Sequence, residues 1–290
     1  MEERAALLAI LLGTKLSWTQ VGVLVDDLGS AEALLSQLQG ERLFEEGNEL
    51  HTAVSTAENL LARWSLEGIH FATFLEPDFP SQLLGIHQRP PFITWRGSQA
   101  SQDADGVAIV GTRSASPDGV QRARRLASEI AGRGVTVVSG LASGIDTAAH
   151  LGALDANGRT VAVIGTGLMR TYPKENAALQ ERIANTGMVL SQFLPEAAPT
   201  KISFPMRNAV MSGFASATVV IEADWKSGAR MQARLALEHG RQVFLMEQLR
   251  QHDWARDYGE RPGAHFVSSV DEILSQLDRS NLWTDHLVDT

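Results

Sequence analysis

Three cationic side chains, Arg113, Lys174 and Arg207, stand where a chain could hold an anion. Arg113 lies in the turn Gly111-Thr112-Arg113-Ser114, which directly follows an apolar run at 107–110. Two further glycine turns follow apolar runs in the same way. One is Ser139-Gly140-Leu141-Ala142-Ser143-Gly144-Ile145-Asp146 and the other is Gly165-Thr166-Gly167. Glycine lets a backbone approach a ligand closely, and helix N-termini offer free N–H groups at a positive dipole end. Gly111, Ser139, Gly140, Gly144, Gly165 and Gly167 therefore outline a phosphate cradle. Lys174 and Arg207 each fall near the start of an expected helix, where a cation opposes the dipole, so they look placed for a ligand. Lys201 and the stretch Ile202-Ser203-Phe204-Pro205-Met206-Arg207-Asn208 read as a loop leading into a helix. That loop joins cations, an aromatic face and the Asn208 amide. An aromatic face for a base beside cations for the backbone is the chemistry of single-strand binding.

Catalytic constellations are poor by comparison. Asp146 and His150 are spaced i,i+4 and read as a structural hydrogen-bonded pair. Ser139 lacks the G-x-S-x-G setting of a nucleophile elbow. Glu222 and Asp224 follow an apolar run, but nothing completes a metal site, and Glu222 reads as a hydrogen-bond organiser of neighbouring turns. The absence of Cys excludes thiol catalysis, disulfide scaffolds and zinc ribbons. Neither G-x-G-x-x-G in the first turn nor G-x-x-x-x-G-K-[ST] is present, and Ser139 stands where a ribose-binding acid would follow the second run, which disfavours nicotinamide chemistry and NTP hydrolysis.

The elements that position these residues follow from the apolar pattern. Runs at 107–110, 135–138, 161–164, 188–190, 217–221 and 242–245 alternate with helical patterns at 118–132, 144–156, 174–186 and 228–239. Continuous apolar strands alternating with helices specify a parallel sheet covered on both faces: an α/β, doubly wound, Rossmann-like domain. Before it, residues 4–66 read as four short helices, with Ser17, Ser30 and Ser55 as N-terminal signals. Between 67 and 105, Pro77, Pro80, Pro90 and Pro91 punctuate short apolar pieces such as Phe92-Ile93-Thr94-Trp95, which limits them to edge strands or extended chain. The expected units are a helical domain at 1–66, an extended Rossmann-like domain at 67–278 and a tail at 279–290, with a last helix at 269–278.

Composition fits a folded chain of 290 residues, with 44% apolar and 20% charged residues. No apolar run approaches the ~18 residues of a membrane span, and the acidic start lacks a signal-peptide pattern, so a cytoplasmic protein is expected. The net charge of −9 argues against a nucleic-acid partner only when read globally. Residues 1–106 carry 6 basic and 15 acidic groups, residues 107–250 carry 16 and 11, and residues 251–290 carry 3 and 8. The positive segment is the one that bears the glycine turns and Arg113, Lys174 and Arg207.

In order and spacing, these segments resemble the DprA/Smf family of DNA processing proteins. The matching pieces are Val107 to Arg113, Ser139 to Asp146 with Ala148-Ala149-His150, Ile164-Gly165-Thr166-Gly167, Tyr172-Pro173-Lys174-Glu175-Asn176, Phe204-Pro205-Met206-Arg207-Asn208, and Val220-Ile221-Glu222-Ala223 with Ser227-Gly228. The resemblance implies an extended Rossmann domain that binds single-stranded DNA. It implies a homodimer that loads the RecA recombinase onto DNA coated by single-strand binding protein, in natural transformation or recombination. It implies no enzyme activity, no cofactor and no membrane. Its DNA pocket falls on Arg113, Lys174 and Arg207, with Phe204, Asn208 and Lys201 beside them, and residues 1–66 resemble a sterile-alpha-motif-like domain. The chain departs from the family at Ser143, Met206 and Ala209, where basic residues are usual, and around 247–262, the region associated with dimerisation and recombinase contact. A winged helix, present in many relatives, has no room in the expected tail. A nucleotide sensor or a phosphoribohydrolase on the same scaffold is the alternative. The phosphoribohydrolase signature P-G-G-x-G-T-x-x-E is absent, and Ser227-Gly228-Ala229-Arg230 stands in the comparable region. A homologue that keeps the fold while losing strong DNA binding is a third reading, motivated by the missing basic residues.

Overall fold

The computed structural model describes residues 2–41 and 47–285. Four helices come first: α1 (Glu3–Gly13), α2 (Trp18–Leu28), α3 (Ala31–Glu41) and α4 (Gly47–Leu66). Ser17 caps α2 in a capping box with Gln20, and Gly29, at φ +69°, ends it. Ser30 accepts from the Ala33 N–H at the start of α3, as expected from its type. Ser55 is not a helix start. It lies inside α4, which begins eight residues earlier at Gly47.

The helices bury their apolar faces on one edge of a sheet. Leu7 and Leu8 share a hydrophobic cluster with Phe71 and Phe92. The Trp18 ring meets Phe92 edge-on at 5.2 Å, and Trp64 stacks on Phe71 at 6.2 Å. Two polar ties fix the docking: Arg4 to Glu76 at 2.6 Å, and the Trp64 indole N–H to Glu196 at 3.1 Å.

The sheet continues through β1 (His70–Thr73), β2 (Phe92–Gly97), β3 (Val107–Val110), α5 (Pro117–Gly132), β4 (Val137–Ser139), α6 (Ile145–Asp155), β5 (Thr160–Val163), α7 (Ala177–Thr186), β6 (Met188–Ser191), α8 (Ser203–Phe214), β7 (Ala217–Val220), α9 (Gly228–Glu238), β8 (Gln242–Met246), α10 (Asp253–Gly259), β9 (Ala264–Val267) and α11 (Val270–Asp285). Nine strands lie in the order β1-β2-β6-β5-β4-β3-β7-β8-β9. β1 and β2 pair antiparallel, as do β2 and β6, and the remaining pairs are parallel. β2 is therefore an interior strand, not an edge. Pro90 and Pro91 precede its first paired residue, Phe92, so no ladder hydrogen bond is lost to them. α11 runs well past 278, so the segment 279–285 is helix and not tail; the rest of the expected tail lies outside the described residues.

Strand periodicity divides the core. Val107 and Ile109 point into one hydrophobic cluster and Ala108 and Val110 into the other, on the opposite face. β3 occupies the centre. The chain leaves it on one side toward β4, β5 and β6, and returns on the other side as β7. This reversal opens a crevice beyond the carboxyl ends of β3 and β7, the position where doubly wound sheets hold ligands.

Candidate nucleic-acid interface

A cleft of about 370 Å³ fills that crevice. Its walls include Gly111, Thr112 and Arg113 after β3, Phe204, Arg207 and Asn208 from α8, and Lys226 to Ala229 after β7. The Arg113 turn is pinned from the neighbouring strand: the Thr112 N–H donates to the Glu222 carbonyl at 2.7 Å. The Glu222 carboxylate accepts from the Ser116 N–H at 3.1 Å and from its hydroxyl at 2.6 Å. Glu222 thus organises the turn, as its type and place suggest.

From Ser203 onward the stretch 202–208 is helical, not a loop. The Ser203 N–H donates to Thr200 Oγ1 at 3.0 Å, and the Thr200 N–H donates to Ser203 Oγ at 3.1 Å. This reciprocal pair starts α8 at Ser203. Pro205 then falls in the first turn, where no N–H is needed. Phe204 and Arg207, three residues apart, consequently share one helix face. Phe204 is half-buried, and the Arg113 guanidinium lies 5.0 Å from its ring centroid. The Tyr172 ring packs against it at 5.4 Å. Gly165 lies against one edge of the ring, where an added Cβ would stand 2.9 Å from Cδ1. The cation and the aromatic face are thus assembled before any ligand arrives.

Arg207 differs most from its expected role. It is 5% exposed, and its Nη1 donates to the Val163 carbonyl at 3.0 Å. Gly140 is glycine because a Cβ there would fall 1.5 Å from that nitrogen. Burial lowers the Arg207 pKa, and neighbouring Asp146 works against that shift. Burial in turn raises the Asp146 pKa, opposed first by Arg207 and then by the Ala142 N–H. The two lie at the floor of the cleft, where little of either side chain is exposed. Asp146 does not pair with His150. His150 Nδ1 instead meets Thr160 Oγ1 at 2.7 Å, and burial, with Arg207 nearby, holds its pKa down to about 3.

The other expected residues separate into wall, support and surface. Asn208 lines the cleft and its amide reaches the Gly228 carbonyl at 3.5 Å, tying α8 to the start of α9. Ser139 is fully buried and donates to the Ile109 carbonyl at 2.7 Å, so its hydroxyl supports β3 and not a phosphate. Gly167 also drops out of the cradle. Its N–H is taken by the Ala197 carbonyl at 2.9 Å, and an added Cβ would meet the Leu194 and Pro195 carbonyls. Gly144, at φ +80°, packs against the Thr112 carbonyl and lets α6 begin beside the Arg113 turn. Lys174 and Lys201 are exposed and stand off the cleft wall, Lys174 in a short 3-10 turn before α7 and Lys201 just before α8. Asn176, two residues after Lys174, anchors that turn to the Leu141 carbonyl at 2.9 Å.

Lys226 is the wall cation that sequence reasoning missed. Its signal was positional: a lysine just beyond the strand that faces the first glycine turn across the switch point.

A sheet that is parallel except at β1 and β2, with a cationic, aromatic-walled crevice at its switch point and no dinucleotide fingerprint, defines a Rossmann-type fold. The family model for DNA recombination-mediator protein A matches residues 70–278. The chain belongs to that family. It is 40% identical over 180 residues to Protein Smf of Synechocystis sp., of whose length it spans 45%. Among solved structures, DNA processing protein A from Streptococcus pneumoniae superposes with a TM-score of 0.73 at 29% identity, covering 94% of both chains. The Helicobacter pylori protein of the same description, studied for its single-stranded DNA binding mode, gives 0.63 at 28% identity, over 73% of this chain and 97% of that one.

Proposed function

We propose that this chain binds single-stranded DNA in the switch-point cleft as a non-enzymatic mediator, and hands the strand to the RecA recombinase during DNA uptake or recombination. The observation that carries the reading is the preassembled pair of Arg113 over Phe204, with Lys226 on the facing wall. In this role Arg113 and Lys226 hold phosphates and Phe204 receives a base, while Gly111 lets the turn pack against Ile145 and the Glu222 carbonyl. Arg207 and Asp146 keep the floor rigid and charged. The chain acts as a homodimer, and its hand-over acts on strands covered by single-strand binding protein.

Two measurements test this. The first is fluorescence anisotropy of a labelled oligonucleotide, titrated as single strand and as duplex. Single-strand preference at micromolar affinity or tighter supports the reading; no single-strand binding overturns it. The second is RecA filament growth on a strand pre-covered by single-strand binding protein. Acceleration by the chain supports hand-over, and an unchanged nucleation rate removes RecA from the proposal. The nucleotide-processing alternative predicts base release from nucleoside monophosphates, which the mediator does not catalyse.

A further inference from the structure

At the lip of the cleft, Asp224 to Ser227 forms a four-residue turn closed by the Ser227 N–H donating to the Asp224 carbonyl at 2.9 Å. Lys226 and Ser227 face the cleft, and Trp225 sits beside them at 59% exposure. The other tryptophans among the described side chains are buried or half-buried. Trp225 is not loose on the surface. The Arg230 guanidinium covers one ring face at 3.7 Å from the centroid, and its Nη1 donates to the Trp225 carbonyl at 3.0 Å. Behind Arg230 lies Tyr258 at 5.8 Å, 3% exposed and itself braced edge-on by Trp254 at 5.7 Å. Arg261 covers Tyr258 as well, at 4.1 Å.

An exposed indole is costly to leave in water, and here it is held in place by a ladder rooted in the core. The partners of Arg230 here are the indole face and the Trp225 carbonyl, neither of which carries a negative charge. A rigid aromatic face backed by arginine, one residue from a cleft-lining lysine, has the composition of a stacking platform for single-stranded nucleic acid.

We infer that Trp225 is a second base-stacking site, which carries the strand out of the cleft and over α9. This rests on the cleft binding single-stranded DNA, and it adds a nucleobase of the same strand as the ligand at the Trp225 face. Phe204 and Trp225 then receive bases on either side of the phosphates held by Arg113 and Lys226.

The test compares wild type with Trp225→Ala and Trp225→Phe, using a labelled oligothymidylate and intrinsic fluorescence. Stacking on one aromatic predicts roughly 5- to 150-fold weaker binding for Trp225→Ala. Trp225→Phe keeps a ring face, so its affinity stays within about threefold of wild type while the tryptophan quenching that accompanies binding is lost. If wild type binds but shows no quenching attributable to Trp225, and Trp225→Ala binds equally well, the inference fails while the cleft reading stands. If wild type does not bind the strand, both fail. If Trp225→Ala alters sedimentation and leaves DNA affinity intact, the platform is a contact between copies of this chain, and the inference is overturned.

Discussion

In the proposed complex, two cations carry the salt dependence of binding. Arg207 is enclosed and hydrogen-bonded to Val163, and Lys174 and Lys201 stand off the wall, so Arg113 and Lys226 are the solvent-facing cations of the cleft. For single strands each phosphate contact contributes ~0.7 to the log–log salt slope, so the double variant Arg113→Gln, Lys226→Gln lowers the slope by ~1.4. Between 50 and 200 mM salt, a fourfold change, the variant's affinity therefore falls about sevenfold less than that of wild type. Anisotropy titrations at four salt concentrations measure this directly, with a urea transition to confirm folding. Both side chains are on the surface side of the cleft, and neither replacement removes a buried charge. An unchanged slope in the folded double variant refutes the assignment. So does a slope that moves only when Lys174 and Lys201 are replaced.

Other expectations follow from the floor of the cleft. Arg207→Met removes the stronger-acting of the two positive charges that offset the burial of Asp146, so stability falls by ~3–5 kcal/mol in urea unfolding; a loss below ~1 kcal/mol contradicts the coupling. Adding Asp146→Asn to that variant restores part of the loss. Gly140→Ala drives a Cβ into the Arg207 guanidinium, and its destabilisation approaches that of Arg207→Met; a variant as stable as wild type shows that the guanidinium can relocate. His150, held neutral down to about pH 3, gives pH-linked stability with a definite sign. The unfolded chain takes up its proton first, near pH 6.5, so stability is complete above that pH and falls toward pH 3 by at most ~1.4 kcal/mol per unit. Urea midpoints for wild type and His150→Gln, compared from pH 4 to 7, show a flatter profile for the variant. Asp146 acts in the opposite sense. Its raised pKa contributes stability below the usual carboxylate range that is lost as pH rises through the shifted value, so Asp146→Asn steepens the acid-side loss.

The parallel sheet was legible because its strands are short β-branched runs with glycine turns at their ends, and burial on both faces leaves no polar alternation to confuse them. Ser17 and Ser30 were legible as helix starts because capping depends on residue type at one position. What escaped depended on partners distant in sequence. Arg207 reads as a surface cation until Gly140, Val163 and Asp146 close around it. Ser139 reads as a turn hydroxyl until the Ile109 carbonyl claims it. The start of α8 lies in the Thr200–Ser203 exchange, which side-chain geometry reveals and periodicity does not. β9 and α10 were missed because each is one short element, and β9 is only half buried at His265 and Phe266. Lys226 and Trp225 gained meaning only once the strand order set β7 beside β3.

The switch-point cleft is proposed to select single-stranded DNA over duplex. The most direct measurement is a competition titration, with a labelled single strand bound to the protein and displaced by unlabelled single strand or by duplex of the same sequence. Displacement by single strand is expected at micromolar concentration or below, with a clear excess of duplex needed for the same effect and a weaker bound signal for the Arg113→Gln, Lys226→Gln variant. Equal displacement by duplex and single strand, or full binding by the folded double variant, would contradict it.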